Sequence, residues 1–467
     1  MVRILNQYVS PKSIVLMLLE GGIITLALLC AVRIRFWGNE SGFEAYVTQP
    51  DFVWQALVFA ATLQVCFYYC DLYQMGGMRR RNEQMIAFGQ SLGSGCLLLG
   101  IVYFIFPSLL LGRGIFFVSM ALVPAFVSSS RIALDRIWQA AAPKENVLII
   151  GTGALATAVA SQFLKRDDLN LQMAGFIEVN GTPWQDREIL GRPVFGSGDG
   201  LLAIVDQQHV SRLIVALEDR RNVLPTRELV RLRVQGIRVE DAHSTISALT
   251  GRVWLETVKP SWFVFSDGFH RSTVTLILKR AIDLASGIVG LAISLPIMLL
   301  VALAIRLDSK GPVIFRQKRV GLKGKCFELM KFRSMRVDAE AATGAMWATA
   351  NDPRATRIGH FLRKYRLDEL PQFINVIRGE MSLVGPRPER PEFVDELRKQ
   401  ISYYDERHSV RPGITGWAQV KYRYGSNVED AVRKLEYDLF YLKNMSIFFD
   451  CAIILDTVRI VAIGHGQ

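Results

Sequence analysis

Between Thr273 and Asp308 the chain reads TVTLILKRAIDLASGIVGLAISLPIMLLVALAIRLD. From Leu284 to Ile305 it is apolar, with Pro296 near the centre. Basic residues stand on both sides: Lys279 and Arg280 before it, and Arg306, Lys310, Arg316, Lys318, Arg319, Lys323 and Lys325 after it. A helix crosses a bilayer core with about 20 apolar residues, so length alone permits a crossing. The charges oppose one, because Lys and Arg on each flank favour the cytosolic leaflet. Proline inside a helix removes a hydrogen bond and clashes with the preceding turn, at a cost of about 3 kcal/mol. Ser294 can satisfy a carbonyl released in this way. The expectation is a re-entrant membrane helix over about 281–305 that breaks at Ser294 and Pro296 and returns to the side it entered.

Upstream lie four further apolar stretches, roughly Ser13 to Val32, Phe52 to Cys70, Ile86 to Phe106 and Gly114 to Leu134. They predict a four-helix transmembrane bundle over residues 1–140. Arg3, Lys12, Arg79, Arg80, Arg81, Arg131, Arg136 and Lys144 gather on one side of it, which places both ends in the cytosol. With 467 residues the chain exceeds one core of about 100–200. Half of it is hydrophobic and only 21% charged, with a mean hydropathy of +0.23, which excludes a disordered chain. A net charge of +12 suits an anionic bilayer face or phosphorylated substrates. So apolar a chain is no simple nucleic-acid binder. The 6 cysteines show no paired metal-ligand spacing and read as buried thiols. Nor do His209, His243, His270, His360, His408 and His465 show metal spacing, with His360 and His408 nearest the motifs described below.

Residues 145–268 read as a soluble α/β domain, Rossmann-like but degenerate. Asn146 to Ile150 is an apolar run ending in Gly151-Thr-Gly153-Ala-Leu-Ala156, followed by a helical stretch through Leu164. Strand, glycine turn and helix can hold a phosphate on backbone N–H groups. Runs at Met173–Ile177 and Leu213–Leu217 extend a parallel sheet, and Glu178 stands where a ribose-binding acid would fall. A tight turn needed only for packing explains the glycines equally well. No Tyr-x-x-x-Lys pair accompanies them, as an epimerase or dehydratase would need; Tyr8 and Lys12 have that spacing but precede the first span.

Residues 273–467 hold the chemistry-bearing motifs. Leu367-Asp368-Glu369-Leu370-Pro371-Gln372 follows a helix ending in Arg363-Lys-Tyr-Arg366 and precedes another through Ile377. Locally, Asp368 reads as a helix N-cap. Adjacent carboxylates near Arg363 and Arg366 should nevertheless stay ionised, and an ionised Asp is a competent nucleophile toward phosphorus. Glu369 beside it can help hold Mg²⁺, which needs only one or two carboxylates plus substrate phosphates. Lys331-Phe-Arg333, the Gly385-Pro-Arg387-Pro388 turn and Arg411-Pro-Gly413-Ile-Thr-Gly416-Trp417 supply cations and close-approach glycines. Together these read as a mixed α/β catalytic domain with a diphosphate and metal site. The segment from Met445 to Ile463, interrupted by Asp450, Asp456 and Arg459, reads as an amphipathic interfacial helix.

From Lys279 onward the sequence resembles the bacterial sugar transferase family, the polyprenyl-phosphate hexose-1-phosphate transferases. The resemblance rests on KRAIDL, GPVIFRQKRVG, MKFRSM, LRKYRLDELPQFINVIRGEMSLVGPRP, VRPGITGWAQV and YDLFYLKN, in that order. The anchor bundle and Rossmann-like middle are similar to the large members of this family, those that initiate exopolysaccharide synthesis. Ser294-Leu-Pro296 stands where compact members carry Ser-Pro. The resemblance implies transfer of a sugar 1-phosphate from a UDP-sugar to undecaprenyl phosphate at the cytosolic face of the bacterial inner membrane, releasing UMP. It implies Asp368 as nucleophile in a covalent phosphosugar intermediate and Glu369, with Asp368, as the Mg²⁺ ligands. Arg363, Lys331, Arg333 and Arg387 would then hold phosphate, and Arg411 would shape the nucleotide end. Asp438 stands as a second polar candidate against a surface acid. The partners implied are the two substrates, the lipid bilayer, a second copy of the chain through the middle domain, and other polysaccharide assembly proteins. A membrane-anchored epimerase or dehydratase and a non-catalytic assembly scaffold are the rival readings.

Overall fold

The computed structural model describes all residues except 1, 5–6, 10, 71, 74–80, 142–144, 167–170, 180–187, 197–199, 218–223, 257, 259, 266–267, 270–271, 337–338, 340–352, 423–426 and 463–467. Arg79, Arg80, Lys144, His270 and His465 therefore lie outside the described residues. The chain forms two compact units, Met1–Thr245 and Ile246–Gln467. Among the described residues five helices are long and apolar enough to cross a membrane: Val15–Arg35, Phe52–Tyr69, Phe88–Ile105, Arg113–Leu134 and Thr273–Asp308.

In the first unit, helix Pro11–Arg35 packs along both Arg113–Ala141 and Phe52–Tyr69, and the latter also packs on Arg81–Ile105. Ile24, Leu28, Phe59, Leu63, Val123 and Val127 are fully buried where they meet. Arg131 does not serve as a flanking surface charge. Its Nε donates to Glu20 Oε1 at 2.5 Å and its Nη1 to the Leu72 carbonyl at 3.3 Å. Glu20 has no exposed surface, and a carboxylate among apolar side chains needs a cation beside it.

After the helices comes a six-stranded sheet. Its spatial order is Glu188–Ile189, Arg192–Phe195, Leu171–Ile177, Glu145–Ile150, Val210–Val215 and Arg238–Asp241, parallel throughout except for the first, two-residue strand. Continuous apolar runs such as Leu148-Ile149-Ile150 suit strands covered on both faces. Arg212, nearly fully buried, ties three neighbouring strands by reaching Glu145 Oε2 at 2.8 Å and Glu240 Oε1 at 3.1 Å. Gly151 has φ +115°, and a Cβ there would overlap the Ala216 carbonyl. Packing alone thus requires glycine at this turn. Glu178 is buried and accepts a hydrogen bond from the Thr152 hydroxyl at 2.5 Å.

The second unit is organised on helix Thr273–Asp308, which stays helical from end to end. No unwinding interrupts it at Ser294 or Pro296. Residues at spacings of three and four keep one face of this helix against the unit across the proline. Asp283 Oδ1 accepts from Ser382 Oγ and Leu383 N, both at 3.0 Å. Gly287 lies on Val376 and Ile377, and Gly290 on Phe373. Met298, Val301 and Ile305 join Phe332 and Leu362. With both halves anchored, the helix holds without unwinding. Ser294 Oγ donates to the Leu291 carbonyl at 3.3 Å, one residue before the carbonyl that Pro296 deprives of its usual donor. The opposite face is apolar and exposed, at Ile288, Val289, Ile293, Leu295, Leu299, Leu300 and Leu303.

Around this helix lie an antiparallel hairpin, Ile314–Val320 with Cys326–Phe332, and the helices Arg357–Lys364 and Gln372–Arg378. Two short parallel strands, Ser382–Val384 and Gly413–Thr415, precede and follow helix Pro391–Gln400. Helices Trp417–Lys421, Val428–Asn444 and Ile447–Ala462 complete the unit. The last has its polarity reversed from a surface helix: Asp450 is buried against Lys279 and Tyr441, whereas Phe448, Leu455 and Val458 are exposed. No cysteine is in a disulfide; of the six expected to be buried only Cys66 is, with Cys30, Cys70 and Cys96 part-buried and Cys326 and Cys451 exposed. Cys326 opens an edge hairpin, where alternate side chains point outward.

Candidate active site

The Asp-Glu pair sits in a single turn, Leu367–Glu369, between two helices. Helix Arg357–Lys364 is started by Thr356, whose hydroxyl accepts from Gly359 N at 3.0 Å. It is ended by Arg366, which adopts φ +54°, a left-handed conformation that costs a non-glycine residue about 1 kcal/mol or more. That reversal sends Leu367 and Leu370 into the cluster of Phe332 and Leu362 and turns Asp368 and Glu369 inward, where both are buried. Asp368 is no N-cap: Pro371 holds that position for helix Gln372–Arg378. Two side chains fix that helix. Arg280 donates to the Val376 and Ile377 carbonyls at 2.7 and 2.9 Å, capping its last turn. Fully buried Asn375 accepts from Met330 N at 3.1 Å and donates to the Glu328 carbonyl and Glu380 Oε2, each at 2.7 Å. Asn375 thereby locks the dyad's helix to the strand that carries Lys331.

Glu369 is surrounded by cations. Its Oε1 accepts from Lys331 Nζ at 3.2 Å and Arg387 Nη2 at 2.8 Å, and its Oε2 lies 3.8 Å from Arg366 Nη1. Burial opposes its ionisation, but Arg387, Lys331 and Arg366 outweigh burial and hold it well below the usual carboxylate range. Asp368 makes no side-chain hydrogen bond among the described residues. Burial raises its pKa to about 6, against the pull of Lys331, Arg387 and Arg363 and with a push from Glu369. Desolvation is what sets this apart from the ordinary ionisation that the sequence predicts, and the group remains mostly charged at neutral pH. Burial likewise lowers the Lys331 pKa, opposed by Glu369. The turn is therefore a net cationic pocket with one unengaged carboxylate, suited to a multiply charged anion.

Lys331, Arg363 and Arg387 thus gather at the dyad, as expected; Arg333 and Arg411 do not. Arg333 is buried and donates to the Lys310 and Ser309 carbonyls at 2.9 and 2.8 Å and to Ser309 Oγ at 2.9 Å, capping the end of helix Thr273–Asp308. In a strand, neighbouring side chains point to opposite faces, so Lys331 and Arg333 could have shared a face only while the strand continued; it ends at Phe332. Arg411 Nε donates to the Gly379 carbonyl at 2.9 Å, bracing the loop after helix Gln372–Arg378. The glycines serve backbone crossing rather than ligand approach. A Cβ on Gly385, Gly413 or Gly416 would overlap main-chain atoms of this same crossing, where Gly385 N donates to Thr415 O at 2.9 Å and Gly413 N to Pro386 O at 3.0 Å. Trp417 is a core residue, buried with Nε1 on the Gly251 carbonyl at 2.7 Å.

Asp438 is not a surface acid. It is buried, and Arg407 donates to its Oδ2 from Nε at 3.1 Å and from Nη2 at 2.8 Å. Burial raises the Asp438 pKa to about 6 while Arg407 opposes the shift. Removing one partner of such a pair costs about 3–5 kcal/mol. His408, next to Arg407, is pushed down to about 4 by burial and by that guanidinium, and is neutral at physiological pH. Sequence reasoning missed Arg407, Asn375 and Arg319, whose partners lie far along the chain. Arg319 Nη1 holds the Pro388 carbonyl at 3.1 Å, 69 positions away.

The Bacterial sugar transferase family model matches residues 274–464. The chain is 40% identical over 51% of its length to UDP-N-acetylgalactosamine-undecaprenyl-phosphate N-acetylgalactosaminephosphotransferase of Aeromonas hydrophila, and spans only 56% of that protein. It is 28% identical over 98% of its length to UDP-glucose:undecaprenyl-phosphate glucose-1-phosphate transferase of Xanthomonas campestris pv. campestris, spanning 96% of that protein. It is 43% identical, over 39% of its length, to Exopolysaccharide production protein PSS of Rhizobium leguminosarum bv. phaseoli, and that match takes in 94% of the smaller protein. With the dyad pocket falling inside the matched region, the chain belongs to the bacterial sugar transferase family.

Proposed function

We propose that this protein transfers a sugar 1-phosphate from a UDP-sugar to undecaprenyl phosphate, giving undecaprenyl-diphosphate-sugar and UMP, as the first membrane step of exopolysaccharide synthesis. The observation that carries this reading is the contrast within the dyad: Glu369 engaged by Lys331, Arg366 and Arg387, and Asp368 buried beside it without a hydrogen bond among the described residues. An Asp368 oxygen attacks the sugar-bearing phosphorus. The bond from that phosphorus to the bridging oxygen breaks, and UMP departs with the oxygen and its electron pair. An oxygen of the lipid phosphate then attacks the same phosphorus, breaking the aspartyl bond and restoring the carboxylate. Lys331, Arg363 and Arg387 hold the charge of the diphosphate throughout.

Among the described residues no group of three or more His, Cys, Asp or Glu could hold a metal. The donors fit a Mg²⁺ that arrives with the diphosphate, because that ion takes only one or two protein carboxylates. Glu369 Oε2 and Asp368 would hold it, and when bound it neutralises phosphate charge. The exposed apolar faces of helices Thr273–Asp308 and Ile447–Ala462 suit a lipid surface, and basic flanks favour the cytosolic side. On this reading residues 145–268 form a Rossmann-like domain, supported by their parallel sheet.

Incubating membranes containing the full chain with UDP-glucose or UDP-galactose, Mg²⁺ and undecaprenyl phosphate tests the reaction. UMP release and a phosphosugar adduct on Asp368, both lost in Asp368→Asn, are expected. Full activity in Asp368→Asn would refute the mechanism.

A further inference from the structure

We propose that Arg407 and Asp438 are a positioning pair that holds Arg387 on Glu369, an inference that rests on Arg387 holding the diphosphate in the proposed transfer. Neither residue of the pair touches the dyad. The guanidinium of Arg407 is buried and committed on three sides: Nε and Nη2 to Asp438 Oδ2, Nη1 to Tyr404 OH at 2.8 Å, and Nη2 also to the main-chain carbonyl of Arg387 at 3.0 Å. Arg387 stands between Pro386 and Pro388, so its backbone has little freedom of its own. From the other side Arg319 holds the Pro388 carbonyl, and Val320 N donates to the Glu389 carbonyl at 2.9 Å. The segment is thus clamped at successive carbonyls, and only from that fixed root does Arg387 Nη2 reach Glu369 Oε1 at 2.8 Å.

Asp438 is what keeps Arg407 in place. It lies in helix Val428–Asn444, and the charged groups facing it are Arg407, Glu389 and Lys434. Without its carboxylate, Arg407 is a buried cation short of a counter-charge and relaxes toward Glu389, releasing the Arg387 carbonyl. Arg387 then loosens from Glu369. An Arg387 no longer fixed at its root holds the diphosphate less well, so KM for the UDP-sugar rises. A residue that only supported the fold would lower the amount of active protein and leave KM unmoved.

The test uses the full chain in membranes, with UMP release followed against UDP-sugar concentration at saturating undecaprenyl phosphate. Wild type is compared with Asp438→Asn, Arg407→Lys, Arg387→Ala and the double variant Asp438→Asn/Arg387→Ala. Asp438→Asn and Arg407→Lys are expected to raise KM for the UDP-sugar by about threefold or more. The double variant should behave as Arg387→Ala alone, to within about twofold, because the pair acts through that arginine. Multiplying losses in the double variant, or a lowered plateau with an unmoved KM, would overturn the proposal. Should Asp438→Asn fail to accumulate, Tyr404→Phe removes one acceptor of Arg407 and should raise KM by less; an unmoved KM there also overturns it. A wild-type chain that releases no UMP sinks the transfer reading and the pair together, whereas wild-type release with unmoved KM values sinks the pair alone.

Discussion

Replacing Lys331 with methionine asks whether the pocket's cations keep the nucleophile charged. Lys331 Nζ lies 3.2 Å from Glu369 Oε1, and its charge is the largest influence lowering the Asp368 pKa. A nearby opposite charge lowers a carboxylate pKa by about 1–3, equivalent to about 1.4–4 kcal/mol. Asp368 already stands at about 6, so Lys331→Met carries it to about 7 or above. The sign is that of a carboxylate: the active form is present above the pKa and is lost as pH falls through it. At pH 7 the ionised fraction drops from about nine-tenths to about half or less, and the missing activity returns on raising the pH toward 9. The kcat/KM for UMP release, measured from pH 5 to 9, reads the position of the acid limb in the free protein. A loss of rate that is equal at every pH, with the limb near 6, would refute the reasoning and leave Lys331 as a phosphate ligand only.

Two further substitutions separate structural arginine and glycine from the chemistry. Arg333→Gln removes donors to the Ser309 and Lys310 carbonyls; thermal unfolding of the detergent-solubilised protein should register a loss of about 1–3 kcal/mol, with KM for the UDP-sugar unchanged. A raised KM at unchanged stability would return Arg333 to the phosphate site. Gly413→Ala places a methyl against Gly385 N and Thr415 O and should cost about 2–3 kcal/mol or more, seen as a lowered unfolding midpoint; a variant as stable as wild type would contradict the backbone crossing.

What could be read locally came through. The apolar runs became helices Phe52–Tyr69 and Arg81–Ile105, because length and hydropathy are properties of a segment by itself. Asn146 to Ile150 lies within strand Glu145–Ile150, and the motif at Asp368 and Glu369 lies in a turn between helices. The misreadings share one cause. Arg333 looked like a phosphate ligand because its target, the end of helix Thr273–Asp308, lies 24 positions back. Gly413 and Gly416 looked like ligand-approach glycines because the strand they cross, Ser382–Val384, belongs to a distant stretch. At Pro296 the local cost is visible in the sequence, whereas the anchoring of both helix halves that keeps the segment helical is not.

The amino-acid order alone determined which residues carry chemistry and which segments are apolar enough for a membrane, since side-chain type, hydropathy and short spacing need no partner. Tertiary structure decided their assignments: that Glu369 is held by cations from three separate elements, that Asp368 is desolvated, and that Arg407 meets Asp438 across 31 positions. Burial and charge–charge distance set those roles, and both exist only once the chain has brought remote residues together.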